Sequence, residues 1–416
     1  MKSFYRILSS FIVLVAFNTA NAESIKWLHL FGEDSSQYPN MVRAVEEFEA
    51  KTGHTVVLQY LENESFKAKL PTMLQSNDRP DIFYSWGGGV MYDQARAGFL
   101  RDVSSVVPDS YLDTVSAAAA DAFTFEGQRV GLPLQVSQVA WWYNKDLMSQ
   151  AGIDVSQIKM WDDLLDAVKQ IKAAGITPIC MGGKDKWPVH FVWTHLHIRN
   201  GGKGLFLESL NNGGWDRPEY IRSGEQMLEL VELEPFQKGW LAATWPDQAG
   251  FFGDGKCAMA FMGNWMYGAQ ASNSASGEGL ADANMGMFNM PMTSGGMGDS
   301  GDTLGGINGW LFSSTASDAA VELMMHYVSL DIQKEDASNG AYIPIVKGAD
   351  GSLTNPFLQQ VAKNISNSEY HQIFYDQFLG ADIGRVVNDV STDLAAGIIS
   401  AEEATQAVQE AWEFNQ

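Results

Sequence analysis

Gly131-Leu-Pro-Leu-Gln-Val-Ser-Gln-Val-Ala-Trp-Trp-Tyr-Asn-Lys-Asp-Leu-Met148 is the segment on which the predicted architecture turns. Gly131 and Pro133 stand at its head, one permissive in φ and the other fixed, as suits a segment leaving one folded body for another. Val136, Val139, Ala140, Trp141, Trp142 and Tyr143 then form a β-branched and aromatic run of strand length that ends at Asn144. Nearly every position is apolar, the pattern of a strand buried on both faces. The segment reads as a crossing between two lobes.

Upstream of it the chain alternates strand and helix. Ile25–Phe31 reads as a strand, followed by a polar loop and a helix with Tyr38, Met41, Val45 and Phe48 on one stripe, closed by Lys51 and Gly53. Thr55–Tyr60 is a second strand. Phe66, Leu70, Met73 and Leu74 mark a helix in which Pro71 is either a kink or the first residue. Asp81–Tyr84 is a third strand and runs into Trp86-Gly-Gly-Gly89. Such alternation predicts a parallel sheet with helices on both faces, and ligands bind such sheets beyond the carboxyl ends of the strands. The loops Glu33–Tyr38 and Ser85–Gly89 lie at such ends.

Downstream, Trp161, Leu164, Leu165, Val168 and Ile171 form a helical stripe with Asp162 and Asp163 in its first turn. Strands are expected at Ile176–Met181, Cys257–Met262, Met285–Met292 and Ile307–Ser313. An aromatic-rich helix is expected near His190–Asn200, a glycine-rich and loop-dominated segment over Asn200–Pro218, and a long loop over Thr293–Gly306. The chain after Tyr342 is helical in pattern.

Length and composition bound the class. Lys2 and Arg6 precede an apolar run ending at Phe17, and Ala20-Asn21-Ala22 is a small-x-small cleavage site, so residues 1–22 read as a secretory signal cleaved after Ala22. The apolar run is too short to span a bilayer. The full chain has 27 basic and 50 acidic residues, and loss of Lys2 and Arg6 lowers the formal charge from −23 to −25. That balance argues against nucleic acid and anionic membrane surfaces, which need a basic footprint. A mature length of 394 residues (416 less 22) predicts two domains. Cys180 and Cys257 pair if their strands are neighbours in the oxidising compartment, and are buried free thiols if not.

The order of several short segments resembles the family 1 extracellular solute-binding proteins of ABC importers, the maltose-binding-protein-like group. The matching segments are Phe48-Glu-Ala-Lys-Thr-Gly-His-Thr-Val56, Arg79-Pro-Asp-Ile82, Gly131-Leu-Pro, Trp142-Tyr-Asn-Lys-Asp-Leu147 and Met160-Trp-Asp-Asp-Leu164. Further on come Gly255-Lys-Cys-Ala-Met259, Gly263-Asn-Trp265, Tyr342-Ile-Pro344 and Gly397-Ile-Ile-Ser-Ala-Glu-Glu-Ala404. They cover essentially the whole mature chain. Met160 departs from the family's usual Thr or Ser, which weakens a helix cap. The resemblance implies an α/β, two-lobed periplasmic-binding-protein fold, each lobe a mainly parallel sheet flanked by helices, with three crossing segments. Residues 23–132 and 291–334 would form one lobe, and residues 133–290 and 335–416 the other. It also implies a periplasmic monomer that closes on a small ligand by hinge bending and docks on an inner-membrane ABC permease.

A pyranose has apolar C–H faces that stack on aromatic planes and a hydroxyl rim that pairs with polar side chains. Trp86, Trp187, Trp265 and Trp310 each lie beside Gly, Lys or Asn in a loop, not in a helical stripe, and are candidates for the stacking planes. Each has core packing as its alternative. Glu33, Gln138, Lys186, Asn264, Asn308 and Arg385 are the polar candidates, with Asp299 and Asp302 weaker ones. Trp141, Trp142 and Trp161 read as core. A carbohydrate is therefore the expected ligand, and a polyol or a quaternary amine caged by Trp is the alternative. A secreted glycoside hydrolase would need two facing carboxylates, for which no local motif stands out. No cofactor and no catalytic residue is expected. The Met285–Met292 alternation fits a packed strand better than copper ligation, and His190, His195 and His197 do not share one helical face. Gly298-Asp-Ser-Gly301 echoes a protease nucleophile loop on the wrong fold.

Overall fold

The computed structural model describes residues 22–416. The signal reading falls almost wholly on residues 1–21 and so lies outside the described residues. In chain order the strands are β1 (Ser24–His29), β2 (Thr55–Tyr60), β3 (Ile82–Ser85), β4 (Thr124–Phe125), β5 (Gln128–Arg129) and β6 (Gly131–Asn144). They continue as β7 (Met259–Gly263), β8 (Met285–Phe288), β9 (Thr303–Phe312), β10 (Ile343–Pro344) and β11 (His371–Ile373). β4 and β5 form a hairpin, and the others join one sheet of 9 strands along the path β10-β6-β9-β3-β1-β2. In it β7 and β8 add to β6, and β11 adds to β9.

β1 pairs in parallel with β2 and β3, and β11 with β9. The remaining pairs of this sheet are antiparallel, including β3 with β9, and β6 with β7, β8, β9 and β10. The sheet is thus mixed, where two mainly parallel sheets were expected. The reason lies in β6 and β9, which run side by side in opposite directions and serve two hydrophobic cores in succession. Along β6, Leu132 and Leu134 belong to a first core and Val139, Trp141 and Trp142 to a second. Along β9, Leu304 belongs to the second core, and Ile307, Trp310 and Leu311 to the first. Pro133 offers no N–H, and the β6–β9 register shifts between Pro133 and Gln135.

The first core gathers Trp27, Met41, Phe48, Phe66 and Tyr327 against β1–β3. Helix Tyr38–Thr52 ends on Gly53 at φ 76, the left-handed stop that glycine adopts without strain. Pro71 lies inside helix Asn63–Gln75, whose first turn is capped by the Glu62 carboxylate accepting from Glu64 N and Ser65 N. The second core includes Trp161, Trp193, Trp215 and Tyr375. Met160 gives no side-chain cap to helix Trp161–Ala173, and Asp163 compensates by accepting from Met160 N and Lys159 N at 2.8 and 3.0 Å. A small cluster of Ala337, Ile343, Leu353, Leu358 and Val361 packs on Val136 and Met287. Gln333, fully buried, ties this region down. Its amide donates to Leu134 O at 2.8 Å, and its oxygen accepts from Ile345 N and Val346 N.

Several sequence expectations change. The strand expected over Met285–Met292 ends at Phe288, and the loop expected over Thr293–Gly306 ends where β9 begins at Thr303. Asn200–Pro218 is mainly helical, because helix Trp187–Asn212 continues through a break at Gly202, φ 62 and ψ −177. The break frees the carbonyls of Arg199 and Asn200, which accept from Gly298 N and Met297 N of the glycine-rich loop. Buried Arg199 pins that loop by donating to the carbonyls of Met290, Asp299, Ser300 and Asp302. Desolvation lowers its pKa to about 10, so it stays charged at neutral pH. Ile176–Met181 makes only single bridges, Ile179 with Phe236 and with Met259, instead of an extended ladder. Those bridges still bring Cys180 to Cys257, which are joined as a disulfide with Cα atoms 5.6 Å apart.

Candidate functional site

A cavity of about 560 Å³ is lined from both cores and from the strands that run between them. On the first-core side it meets the loop after β1 with Phe31, Asp34 and Gln37, the start of helix Asn63–Gln75 with Asn63 and Lys67, and the end of β3 with Tyr84 and Trp86. These are the carboxyl ends of three neighbouring strands or the elements that follow them, where the βα alternation leaves backbone and loop side chains free for a ligand. Trp86 stands edge-on to Tyr84 and Phe66, with ring centroids 5.3 and 5.8 Å away. Beyond it Gly87 and Gly88 have φ 67 and 71, so the chain turns at once into helix Gly88–Arg96. Gln135 Nε2 donates to the Tyr84 hydroxyl at 3.0 Å, and burial pushes that phenol well above its ordinary pKa.

The second-core side is aromatic. Trp187 opens helix Trp187–Asn212, Trp265 follows β7, and Phe191, Trp245 and Phe374 complete the surface. Their rings touch in sequence: Trp187–Trp245 at 5.7 Å, Trp187–Phe191 at 5.4 Å, Phe191–Phe374 at 5.1 Å and Trp265–Phe374 at 6.0 Å. Gly263 makes room for the Trp265 ring, since a Cβ there would lie 2.1 Å from its Cζ3. Asn264 is held like a strand residue, its N donating to Gln138 O and its Oδ1 accepting from Gln138 N, each at 3.0 Å. Asp376 is buried at the cavity, near buried His190 with Nε2–Oδ1 3.8 Å. Burial depresses the His190 pKa, so that ring is neutral.

Of the sequence candidates, Trp86, Trp187, Trp265, Asn264 and Asn308 line this cavity. Asn308 lies on β9 with its Oδ1 unpaired among the described residues. Trp310 does not reach the cavity; it is fully buried, its ring edge-on to Trp27 at 5.0 Å and to Tyr84 at 5.4 Å. Gln138 turns its side chain to Asn289 and Asn364 and serves the site only through its hold on Asn264. Lys186 and Arg385 both face Asp389, at 2.6 and 3.1 Å, and neither lines the cavity. Glu33 is exposed while its neighbours Asp34–Gln37 line the wall. Asp299 and Asp302 belong to the loop held by Arg199 and are away from the lining. Phe31, Asp34, Asn63, Lys67, Phe374 and Asp376 went unread. The two loops named at strand ends were the only sequence signal toward any of them. Among the described residues no group of three or more His, Cys, Asp or Glu is placed to hold a metal, and no helix is long and apolar enough to cross a membrane.

Residues 32–335 match the family model described as bacterial extracellular solute-binding protein. The chain belongs to that family. This solute-binding protein is 25% identical over 206 residues to an uncharacterized ABC transporter extracellular-binding protein of Pyrococcus horikoshii, covering 49% of this chain and 46% of the other. It is 20% identical over 275 residues to the multiple sugar-binding protein of Streptococcus mutans, covering 61% and 62%. It thus spans less than two thirds of either relative. Among solved structures, a chitin oligosaccharide binding protein superposes with a TM-score of 0.85 at 23% identity, over 94% of this chain and 98% of that one. A structure from work on xylan utilization by Caldanaerobius polysaccharolyticus also gives a TM-score of 0.85, at 23% identity over 93% and 99%. The solute-binding protein therefore has the α/β fold of these receptors, and its family is one of binding proteins rather than of glycoside hydrolases.

Proposed function

We propose that this chain is the substrate-binding component of an ABC importer, and that it captures a carbohydrate in the cavity between its two cores. The cavity itself carries the reading. A continuous aromatic surface from Trp187 to Phe374 faces short polar groups at Asp34, Asn63 and Asn308, which suits a ring with apolar faces and a hydroxyl rim. Relatives named for binding sugars support it. Trp86, Trp187 and Trp265 are the proposed stacking planes, and Asn264 and Asn308 the proposed polar partners.

In this reading the two cores are two lobes that close by hinge bending. We assign residues 23–132 and 291–334 to one lobe and residues 133–290 and 335–416 to the other, with Leu134, Leu304, Tyr342 and Val346 packing across that division. The changes of core membership between Leu134 and Val139 and between Leu304 and Ile307 support two of the three crossings. The mature protein would act as a periplasmic monomer after cleavage behind Ala22, and pass its ligand to an inner-membrane permease.

A thermal-shift screen of the mature protein against neutral sugars and polyols tests this. A ligand at a hundredfold excess over its dissociation constant adds about 2.7 kcal/mol to stability, which appears as a raised melting temperature. A screen of mono- and oligosaccharides that leaves the melting temperature unmoved throughout would sink the carbohydrate reading.

A further inference from the structure

Where the two walls approach, the lining residues Trp86, Trp187 and Lys67 meet Glu64, which is not itself in the lining, and together make the parts of a cation-recognition site. The indole of Trp86 belongs to the first-core wall and that of Trp187 to the second. The Lys67 ammonium lies over both rings, 5.4 and 5.6 Å from their centroids. The Glu64 carboxylate closes the group. Its Oε1 is 3.4 Å from Lys67 Nζ and accepts the Trp187 Nε1–H at 3.1 Å and the Asn63 amide at 2.6 Å. Two indole faces and a carboxylate around one point are the chemistry that holds a quaternary or primary ammonium, because the ring quadrupoles and the carboxylate all attract positive charge. Here that point is taken by a side chain of the protein itself.

We propose that Lys67 is a specificity-determining residue, an internal occupant of the Trp86–Trp187–Glu64 cage that bars cationic solutes and leaves the cleft selective for uncharged ligands. This role of Lys67 rests on the reading of the cavity as the ligand cleft and deepens it. A cationic solute would have to displace Lys67, and the freed ammonium would then repel it inside the same small site. A neutral sugar meets no such conflict, since it carries no charge for the Lys67 ammonium to repel. Lys67 also neutralises Glu64, which would otherwise bring an unpaired carboxylate to the Trp187 indole. Among the described residues no Arg and no second Lys lines the cavity, so they supply no spare cation to attract an anionic solute either.

The test uses choline chloride as the probe, on the mature full-length protein, with potassium chloride of equal ionic strength as the control. Wild type is expected to give no saturable signal in titration calorimetry. Lys67→Ala and Lys67→Ser each vacate the cage, and each is expected to bind choline at least about tenfold more tightly than wild type. Trp86→Ala combined with Lys67→Ala is expected to lose that gain. Choline binding by wild type as tight as by the variants overturns the proposal. So does no gain in either single variant with an unchanged circular dichroism spectrum, or a gain that survives loss of Trp86. The sugar screen on wild type is read separately: its failure removes the carbohydrate reading, while the choline result reports on the cage alone.

Discussion

Across the cavity, the wall built on the first core presents Asp34, Asn63 and Lys67 beside Tyr84 and Trp86. The wall built on the second presents Trp187, Phe191, Trp245, Trp265 and Phe374 with Asn264 and Asp376. The polar wall comes from loops and a helix start at the carboxyl ends of β1, β2 and β3, so its side chains are carried by separate segments. The aromatic wall is one packed cluster continuous with the second core, so its planes are set before any ligand arrives. The difference teaches a division of labour: one wall offers rigid stacking area, and the other offers hydrogen-bonding groups that can adapt to a hydroxyl pattern.

The comparison breaks most severely if core and cavity tryptophans are interchangeable. Trp310→Ala removes a fully buried indole that touches Trp27, Tyr84 and Tyr327, and is expected to cost about 3–5 kcal/mol of stability in urea unfolding. Below its melting transition the variant should keep most of its ligand affinity. Trp265→Ala should do the reverse. The ring is partly exposed at the end of β7, and its loss is expected to weaken sugar binding by about 2 kcal/mol, roughly thirtyfold, with a smaller change in stability. Calorimetric titration showing equal affinity for wild type and Trp265→Ala would remove the aromatic wall from the site.

A smaller effect sharpens the contrast between the cores. His197 sits among Trp193, Tyr220 and Tyr375 in the second core with both ring nitrogens unpaired, and burial lowers its pKa to about 3. Above the unfolded value near 6.5 both states are neutral and nothing is lost. Below it the unfolded imidazole takes a proton that the buried one refuses, so stability falls as pH drops from 6.5 toward 3. At pH 5.5 the loss through this residue is roughly 1.4 kcal/mol. His197→Phe keeps the ring packing and should flatten that part of the stability profile; an unchanged slope would place the acid sensitivity elsewhere.

Asp336, beside the first core, has the opposite sign. Burial raises its carboxyl to about 6, against the donors Tyr342 and Asn40. Its contribution is therefore full below the unfolded value near 4 and is lost as pH rises through 6.

Much of the architecture was legible in the chain. β1, β2 and β3, the stripes of helices Tyr38–Thr52 and Trp161–Ala173, and the strand through Trp141 and Trp142 followed from periods of two and 3.6 residues and from Gly stops. The continuation of helix Trp187–Asn212 through Gly201-Gly202 was not legible, because glycine weakens local helix preference while the Arg199 clamp that stabilises the break is tertiary. Trp310 illustrates the limit for the site. It adjoins glycine as Trp86 does, yet it lies within β9 instead of at a strand end, and its side chain packs inward.

What the chain's own pattern settled was the α/β alternation, the long buried strand at Gly131–Asn144 and three of the cavity's tryptophans, because each is written in short-range pattern and in residues with special backbone needs. Tertiary structure alone decided that β6 and β9 merge the sheets, that Cys180 meets Cys257, and that Lys67 lies between Trp86 and Trp187. Those outcomes depend on which distant segments are brought together. Glu64 and Trp187 share a hydrogen bond across a separation of 123 residues, and no local periodicity carries that distance.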